Sequence, residues 1–178
     1  MIDNKQSELY QKRKEYIKYI DEHRTLVKDA FLKFLKSNIG DLTNEDIDLL
    51  NNEIENHDLS KYESEEFEAY RRHFFPCSFE ISKDSQREFE AAVEHHYSVN
   101  NHHPQNISRQ KGLNKVAAIH NILDWIAMSY KFKDDVWRFY EGSSIREKIN
   151  EEERCFIENI LEEMKRKKYI FYPSEIDI

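Results

Sequence analysis

Apolar residues recur every three to four positions along most of the chain, and this spacing is the period of an amphipathic α-helix. The first apolar stripe predicts a helix from about Ser7 to Ser37, and Gly40 stands just beyond its end. A second stripe follows Thr43, which has the spacing of a capping box with Asp46. The beginning of the chain is therefore predicted to form two consecutive helices.

Four further stripes continue the helical pattern. Ser60, Ser85 and Ser144 each precede a glutamate by three residues, which is a signal for a helix N-terminus. Pro76 and Pro104 end two of the stripes, because proline disfavours helical geometry in the residue before it. The predicted spans are about 60–76, 85–103, 113–132 and 144–168, and no element is predicted for the tail, 169–178.

The composition supports the same fold class. The 178 residues include only 3 glycines and 3 prolines, and 35% of them are charged, which favours long helices over a β-fold rich in turns. The 39% of hydrophobic residues and 13% of aromatic residues argue against disorder. We predict a single all-α domain over residues 1–178, a bundle of about six to seven helices.

The net charge, the lack of long apolar runs and the cysteine usage limit the partners and the cellular compartment that the sequence predicts. The net charge of −8 provides no dominant basic surface for nucleic acid. No apolar run approaches the roughly 18 residues of a membrane span, and the first residues lack the apolar stretch of a signal peptide. Cys77 and Cys155 form no closely spaced motif, which fits a reduced compartment. The sequence therefore predicts a cytoplasmic protein without a membrane partner.

Metal-ligand side chains lie on several inward faces of the predicted helices. His23 shares the apolar face of the first helix, His57 and Asp58 extend that of the second, and Asp124 lies on that of the fifth. Buried aspartate is costly unless it is paired or coordinates a metal. Imidazole and carboxylate together suit iron, manganese, zinc and similar divalent ions, and helix bundles build such sites from facing helices.

The segment 95–103 contains four histidines in nine residues. Residues seven apart on a helix lie on one side of it, so His96 with His103, or His95 with His102, can face the same site. We favour His96 and His103 because Phe89 shares their face, and the other pair stays open.

The order of these residues resembles the HD-domain superfamily, in which a histidine, an adjacent His-Asp pair and a distant aspartate come from different helices. Here the elements are His23, His57-Asp58 and Asp124. The string from His57 to Lys61 is similar to the HDxxK form of the motif, and the resemblance covers roughly residues 15–131. It implies an HD-type helical bundle with a central metal site, on which the helix 144–168 packs.

The resemblance also implies a function and roles for individual residues. HD proteins are typically metal-dependent phosphohydrolases for phosphomonoesters or phosphodiesters, often of nucleotides, and they use one or two divalent ions such as Mn, Fe, Co, Zn or Ni. The implied metal ligands are His23, His57, Asp58, His96, His103 and Asp124. Asp58 would also orient the attacking water, and Lys61 would contact the phosphate of a small phosphorylated substrate. Glu63 is a candidate acid or base, and Arg109 and Lys111 are candidate phosphate contacts.

Other interpretations stay open at this point. His23 can be a hydrogen-bonded core histidine, and Asp124 can pair with Lys131 or His120. His120 can orient the carboxylate of Asp124 or be an ordinary polar residue of the core. HD-type folds also include di-iron oxygenases, and a non-catalytic scaffold that binds a nucleotide or a protein is a third hypothesis. The sequence decides neither the substrate nor whether the protein is a homodimer.

Overall fold

The structure, a computed structural model, describes residues 2–80 and 85–167. These residues form seven α-helices and no β-strand, which confirms the predicted all-α fold class. The helices are α1 (Ile2–Ser37), α2 (Asn44–Glu55), α3 (Phe67–Phe74), α4 (Ser85–Val99), α5 (Lys115–Phe132), α6 (Val136–Gly142) and α7 (Glu151–Arg166). Short 3-10 helices span Leu59–Tyr62, Ile107–Lys111 and Ser144–Glu147. The tail for which no element was predicted, 169–178, lies outside the described residues.

The capping signals were right for α2 and wrong for two later helices. Thr43 and Asp46 form the predicted reciprocal capping box, with nitrogen–oxygen distances of 3.0 and 3.1 Å. Ser60 instead lies in a 3-10 helix, because its buried hydroxyl accepts a hydrogen bond from Asn100 Nδ2 at 2.9 Å rather than capping a helix. Ser144 also begins a 3-10 helix, and Asn150 provides the N-cap of α7.

The predicted end of α4 at His103 was wrong, because α4 ends at Val99. The side chain of Asn100 donates a hydrogen bond to the carbonyl of His96 at 2.9 Å and so provides the carbonyl with a partner at the helix end. His103 therefore lies beyond the helix, and the seven-residue spacing that related it to His96 does not apply.

Contacts along the chain divide it into two compact units, each made of two stretches. The first unit contains the residues up to Arg24 and residues 58–100. Its apolar core joins α1 with α3 and α4 and consists of Tyr16, Ile20, Tyr70 and Ala92. Beside this core the guanidinium of Arg71 is buried and donates to both carboxylate oxygens of Glu80 at 2.5 and 2.6 Å. These bonds lower the pKa of Glu80 to about 2.

The second unit contains residues 25–57 and those from Asn101 onward. Its centre is α5, whose residues are buried over most of the length of the helix. The core residues that pack with α5 include Val27, Phe34, Leu50, Ile54, Tyr140, Ile157 and Leu161. No helix in the part of the chain that the structure describes combines the length and the apolar character that a membrane crossing requires.

Candidate metal centre

The His57-Asp58 pair lies directly after α2, where the chain changes direction. Asp58 adopts the left-handed conformation, with φ 55° and ψ 23°, and precedes the 3-10 helix Leu59–Tyr62. Aspartate and asparagine tolerate this conformation better than other residues with a side chain. His57 and Asp58 are each only 1% exposed, so this turn is fully buried. His57 belongs to the second unit and Asp58 to the first.

In the first unit, Asp58 presents one carboxylate oxygen to each of two histidines. The Oδ2 atom lies 3.7 Å from His23 Nε2, and the Oδ1 atom lies 3.4 Å from His96 Nε2. Both distances exceed the range of an ordinary hydrogen bond. Two ligands that each bind one ion at about 2.1 Å lie about 3 to 4 Å apart. The separations therefore fit ligands of divalent ions, and the two oxygens point to two different imidazoles.

Glu66 fixes the orientation of His96. Its carboxylate is fully buried, and its two oxygens lie 2.9 Å from His96 Nδ1 and 2.9 Å from His95 Nδ1. Burial alone would raise the pKa of Glu66, but the hydrogen bonds with His96 and His95 lower it. Since an ionised carboxylate only accepts, His96 donates through Nδ1 and keeps the lone pair of Nε2 directed to Asp58. Such a carboxylate–histidine pair is the usual support of a metal-binding imidazole.

Two of the predicted catalytic residues have different surroundings. Lys61 Nζ lies 2.6 Å from Asp58 Oδ2 and also lies over the ring of Tyr70, so its charge is held at the buried carboxylate. Glu63 is exposed, and its backbone carbonyl accepts from the nitrogens of Glu66 and Phe67 at the start of α3. Lys61 is thus part of the cluster, whereas the acid or base role of Glu63 stays a prediction.

In the second unit, His57 lies between Asp124 and His120. His57 Nε2 is 3.9 Å from Asp124 Oδ1, again longer than a hydrogen bond and within the range of two ligands on one ion. His57 Nδ1 is 2.9 Å from His120 Nε2, and His120 Nδ1 is 3.2 Å from Glu53 Oε2. One predicted role for His120 was to orient Asp124, but the contacts show that it orients His57.

His102 completes a group of imidazoles in the second unit. It is 1% exposed, and its ring centroid lies 4.7 Å from that of His57 and 4.3 Å from that of His120. Each of these three residues offers a ring nitrogen, and the three atoms lie within 4.8 Å of one another. His103 is half-buried, with its ring centroid 4.1 Å from that of His102. His102, from the pair that was not favoured, therefore lies among these imidazoles, whereas His96, from the favoured pair, faces Asp58. The role of His103 as a ligand stays a prediction.

Arg109 and Lys111, the predicted phosphate contacts, have different positions. The guanidinium of Arg109 is 1% exposed and forms an ion pair with the fully buried Glu153 of α7. It also donates to the carbonyls of His102 at 2.7 Å and Ala117 at 3.2 Å. Arg109 therefore connects the segment after α4 to α5 and α7, a structural role that the sequence did not indicate. Lys111 is exposed.

Sequence reasoning missed residues that contact the ligand candidates, although two of them had a usable signal. Glu66 precedes the buried Tyr70 by four residues, and Glu53 precedes His57 by four, so each lies on the inward side of its segment. His102 lies in a segment without a helical period, so no pattern distinguished it from His103. Together the buried histidines and aspartates form clusters that can hold a metal ion, and imidazole with carboxylate suits first-row divalent ions.

Comparisons with known proteins found one family. The model of DUF5662, described as a family of unknown function, matches residues 12–163 of the chain. No curated protein and no solved structure matches. The matched residues include all of the candidate ligands described above.

Proposed function

Since the chain belongs to DUF5662, a family of unknown function, we propose from the geometry of its own residues that it is a metal-dependent phosphohydrolase of the HD type. Its donors form two sets, one in each unit. The first set is His23, Asp58 and His96. The second is His57 with Asp124, and His102 lies beside His57. One member of each set, His57 of the second and Asp58 of the first, is adjacent to the other in the sequence.

The observation that carries this proposal is the carboxylate of Asp58. It is 2% exposed, and its two oxygens face two different imidazole nitrogens at 3.4 and 3.7 Å. A buried carboxylate is expensive unless its charge is compensated. Lys61 lies 2.6 Å from Oδ2, and a divalent ion would add compensation where the carboxylate faces the two imidazoles. The separations from His23 and His96 fit ligands of a divalent ion, and this arrangement supports Asp58 as a metal ligand.

The residues around Asp58 suit hydrolysis of a phosphate ester. When bound, a divalent ion provides hydroxide near neutral pH and polarises a phosphoryl oxygen. Asp58 orients the attacking water, and Glu66 keeps His96 in the tautomer that accepts through Nε2. Lys61 places a positive charge beside the same carboxylate, where it stabilises the negative charge that develops on the phosphoryl oxygens. The water adds to phosphorus, the bond to the alcohol oxygen breaks, and the alcohol leaves with a proton.

The first test is turnover of phosphate esters by the purified protein. We expect a sample loaded with Mn or Co to release phosphate or alcohol from at least one member of a panel of nucleoside phosphates and generic monoesters and diesters. A metal-loaded sample that hydrolyses none of them would contradict the phosphohydrolase assignment.

Lys61 provides the matched variant for this test. Lys61→Met should lower kcat/KM by about 100-fold or more for the substrate that the panel identifies, because it removes a charge beside the reacting phosphoryl group. Metal content should not fall, since Lys61 is not a ligand. Lys18→Met is the control, because Lys18 is an exposed residue of the same unit that pairs with Glu22 one helical turn away. Equal kinetics for the two variants would remove Lys61 from the mechanism.

A further inference from the structure

We propose that Glu53, acting through His120, selects the tautomer of His57 in which Nε2 carries the lone pair, so that this atom can bind a metal ion. We call Glu53 and His120 the relay. The metal-binding part of this inference rests on the proposed function, whereas the tautomer itself does not. Glu53 and His120 are positioning residues in this account, since they act through His57.

The relay begins at Glu53, whose two carboxylate oxygens each have a donor. Oε1 accepts from Asn101 Nδ2 at 2.7 Å, and Oε2 lies 3.2 Å from His120 Nδ1. A carboxylate has no proton to donate, so the hydrogen of this second contact belongs to His120 Nδ1. Asn101 thus helps to hold the carboxylate at the position where it fixes His120.

The direction of the next bond follows from the chemistry of the imidazole ring. A neutral imidazole carries one N–H, and in His120 that hydrogen is on Nδ1, so its Nε2 atom accepts. The partner at 2.9 Å is His57 Nδ1, which therefore donates. The single hydrogen of neutral His57 is then on Nδ1, and its Nε2 atom carries a lone pair. This atom lies 3.9 Å from Asp124 Oδ1.

The two units support their imidazoles by the same principle through different residues. In the first unit the carboxylate of Glu66 bonds His96 Nδ1 directly. In the second unit the imidazole of His120 is inserted between the carboxylate of Glu53 and His57. His120 and His57 are 2% and 1% exposed, so water has little access to replace either bond. Residues that fix a metal-binding imidazole in this way contribute about 10- to 100-fold to metal affinity.

Glu53→Gln tests the relay with almost no change in shape. The amide oxygen can keep the hydrogen bond from Asn101, and its NH2 group then faces His120 Nδ1 as a donor. His120 Nδ1 must then accept, its hydrogen moves to Nε2, and the hydrogen of His57 moves from Nδ1 to Nε2. Glu55→Gln is the matched control, because Glu55 is an exposed carboxylate two positions further along α2 that pairs with Lys28.

The primary measurement is the tautomer of His57 in the metal-free protein near neutral pH. Long-range proton–nitrogen NMR of ¹⁵N-labelled protein distinguishes the two tautomers, and a His57→Gln variant assigns the signal. We expect the Nδ1–H form in the wild type and in Glu55→Gln, and the Nε2–H form in Glu53→Gln. Zinc affinity, measured by competition with a chromophoric chelator, should fall about 10- to 100-fold in Glu53→Gln and stay unchanged in Glu55→Gln.

The outcomes separate the relay from the proposed function. The Nε2–H form in wild-type protein would overturn the relay without the need for any variant. An unchanged His57 tautomer and unchanged zinc affinity in a folded Glu53→Gln would also overturn it. The Nδ1–H form in a wild type that binds no zinc would support the tautomer selection and would remove the metal function that we propose for it.

Discussion

Asp58→Asn is expected to weaken divalent-metal binding by more than about 100-fold with no loss of helix content. The substitution removes the charge that both neighbouring imidazoles face and leaves one neutral oxygen in place of two charged ones. Asparagine adopts the left-handed conformation of this residue as readily as aspartate, so the turn after α2 is preserved. Calorimetric titration with Mn and Zn measures the affinity, and circular dichroism measures the helix content.

The chain contains a matched control for this variant. Asp41 is also left-handed, with φ 44°, but it is exposed, so Asp41→Asn makes the same chemical change without removing a buried charge. Asp58→Ala is the poorer choice, because alanine at a left-handed position adds roughly 1–2 kcal/mol of strain. Unchanged metal affinity in Asp58→Asn would exclude Asp58 as a ligand.

Arg109→Met is expected to lower the free energy of unfolding by about 3–5 kcal/mol. The side chain of Glu153 is fully buried, and without Arg109 its charge would stay in the interior without a compensating cation. The substitution also removes the donor to the carbonyls of His102 and Ala117. Urea denaturation followed by circular dichroism provides the measurement.

A second substitution and a surface control sharpen this test. Arg109→Met combined with Glu153→Leu should recover most of the lost stability, because the double variant removes both buried charges. Arg138→Met, which breaks an exposed pair with Asp134, should change the free energy of unfolding by less than about 1 kcal/mol. If Arg109→Met left the stability unchanged and only weakened a phosphate substrate, the side chain would be a substrate contact, as the sequence suggested.

The helices were predictable because their apolar period and several of their caps are local features of the sequence. Thr43 and Asp46 are three residues apart, and their reciprocal hydrogen bonds need nothing from the rest of the chain. The failures arose where a distant residue competes for the same group. Ser60 has a cap spacing, but its hydroxyl is bound by Asn100, forty positions later. The same asparagine contributes to the end of α4 at Val99.

In the candidate site, too, local patterns predicted some residues, whereas contacts between distant residues could not be predicted. His23, His57 and Asp58 were predictable because their burial continues an apolar stripe, and the structure buries all three. The residues that hold these side chains in position were harder to predict. Glu63 and Glu66 belong to one acidic run, and only the turn after the left-handed Asp58 decides which of them is buried. No spacing pattern predicts the ion pair between Arg109 and Glu153, because it depends on tertiary structure.

The metal content of the purified wild-type protein tests the central claim most directly. After incubation with Mn, Co, Zn or Fe and removal of loosely bound ions, elemental analysis should find one or two equivalents of a divalent metal per chain. Two irons with an oxygen-dependent absorbance would support the metal centre but would favour an oxygenase over a phosphohydrolase. A folded protein that retains none of these metals would contradict the account, because its buried histidines and aspartates would then have only a structural role.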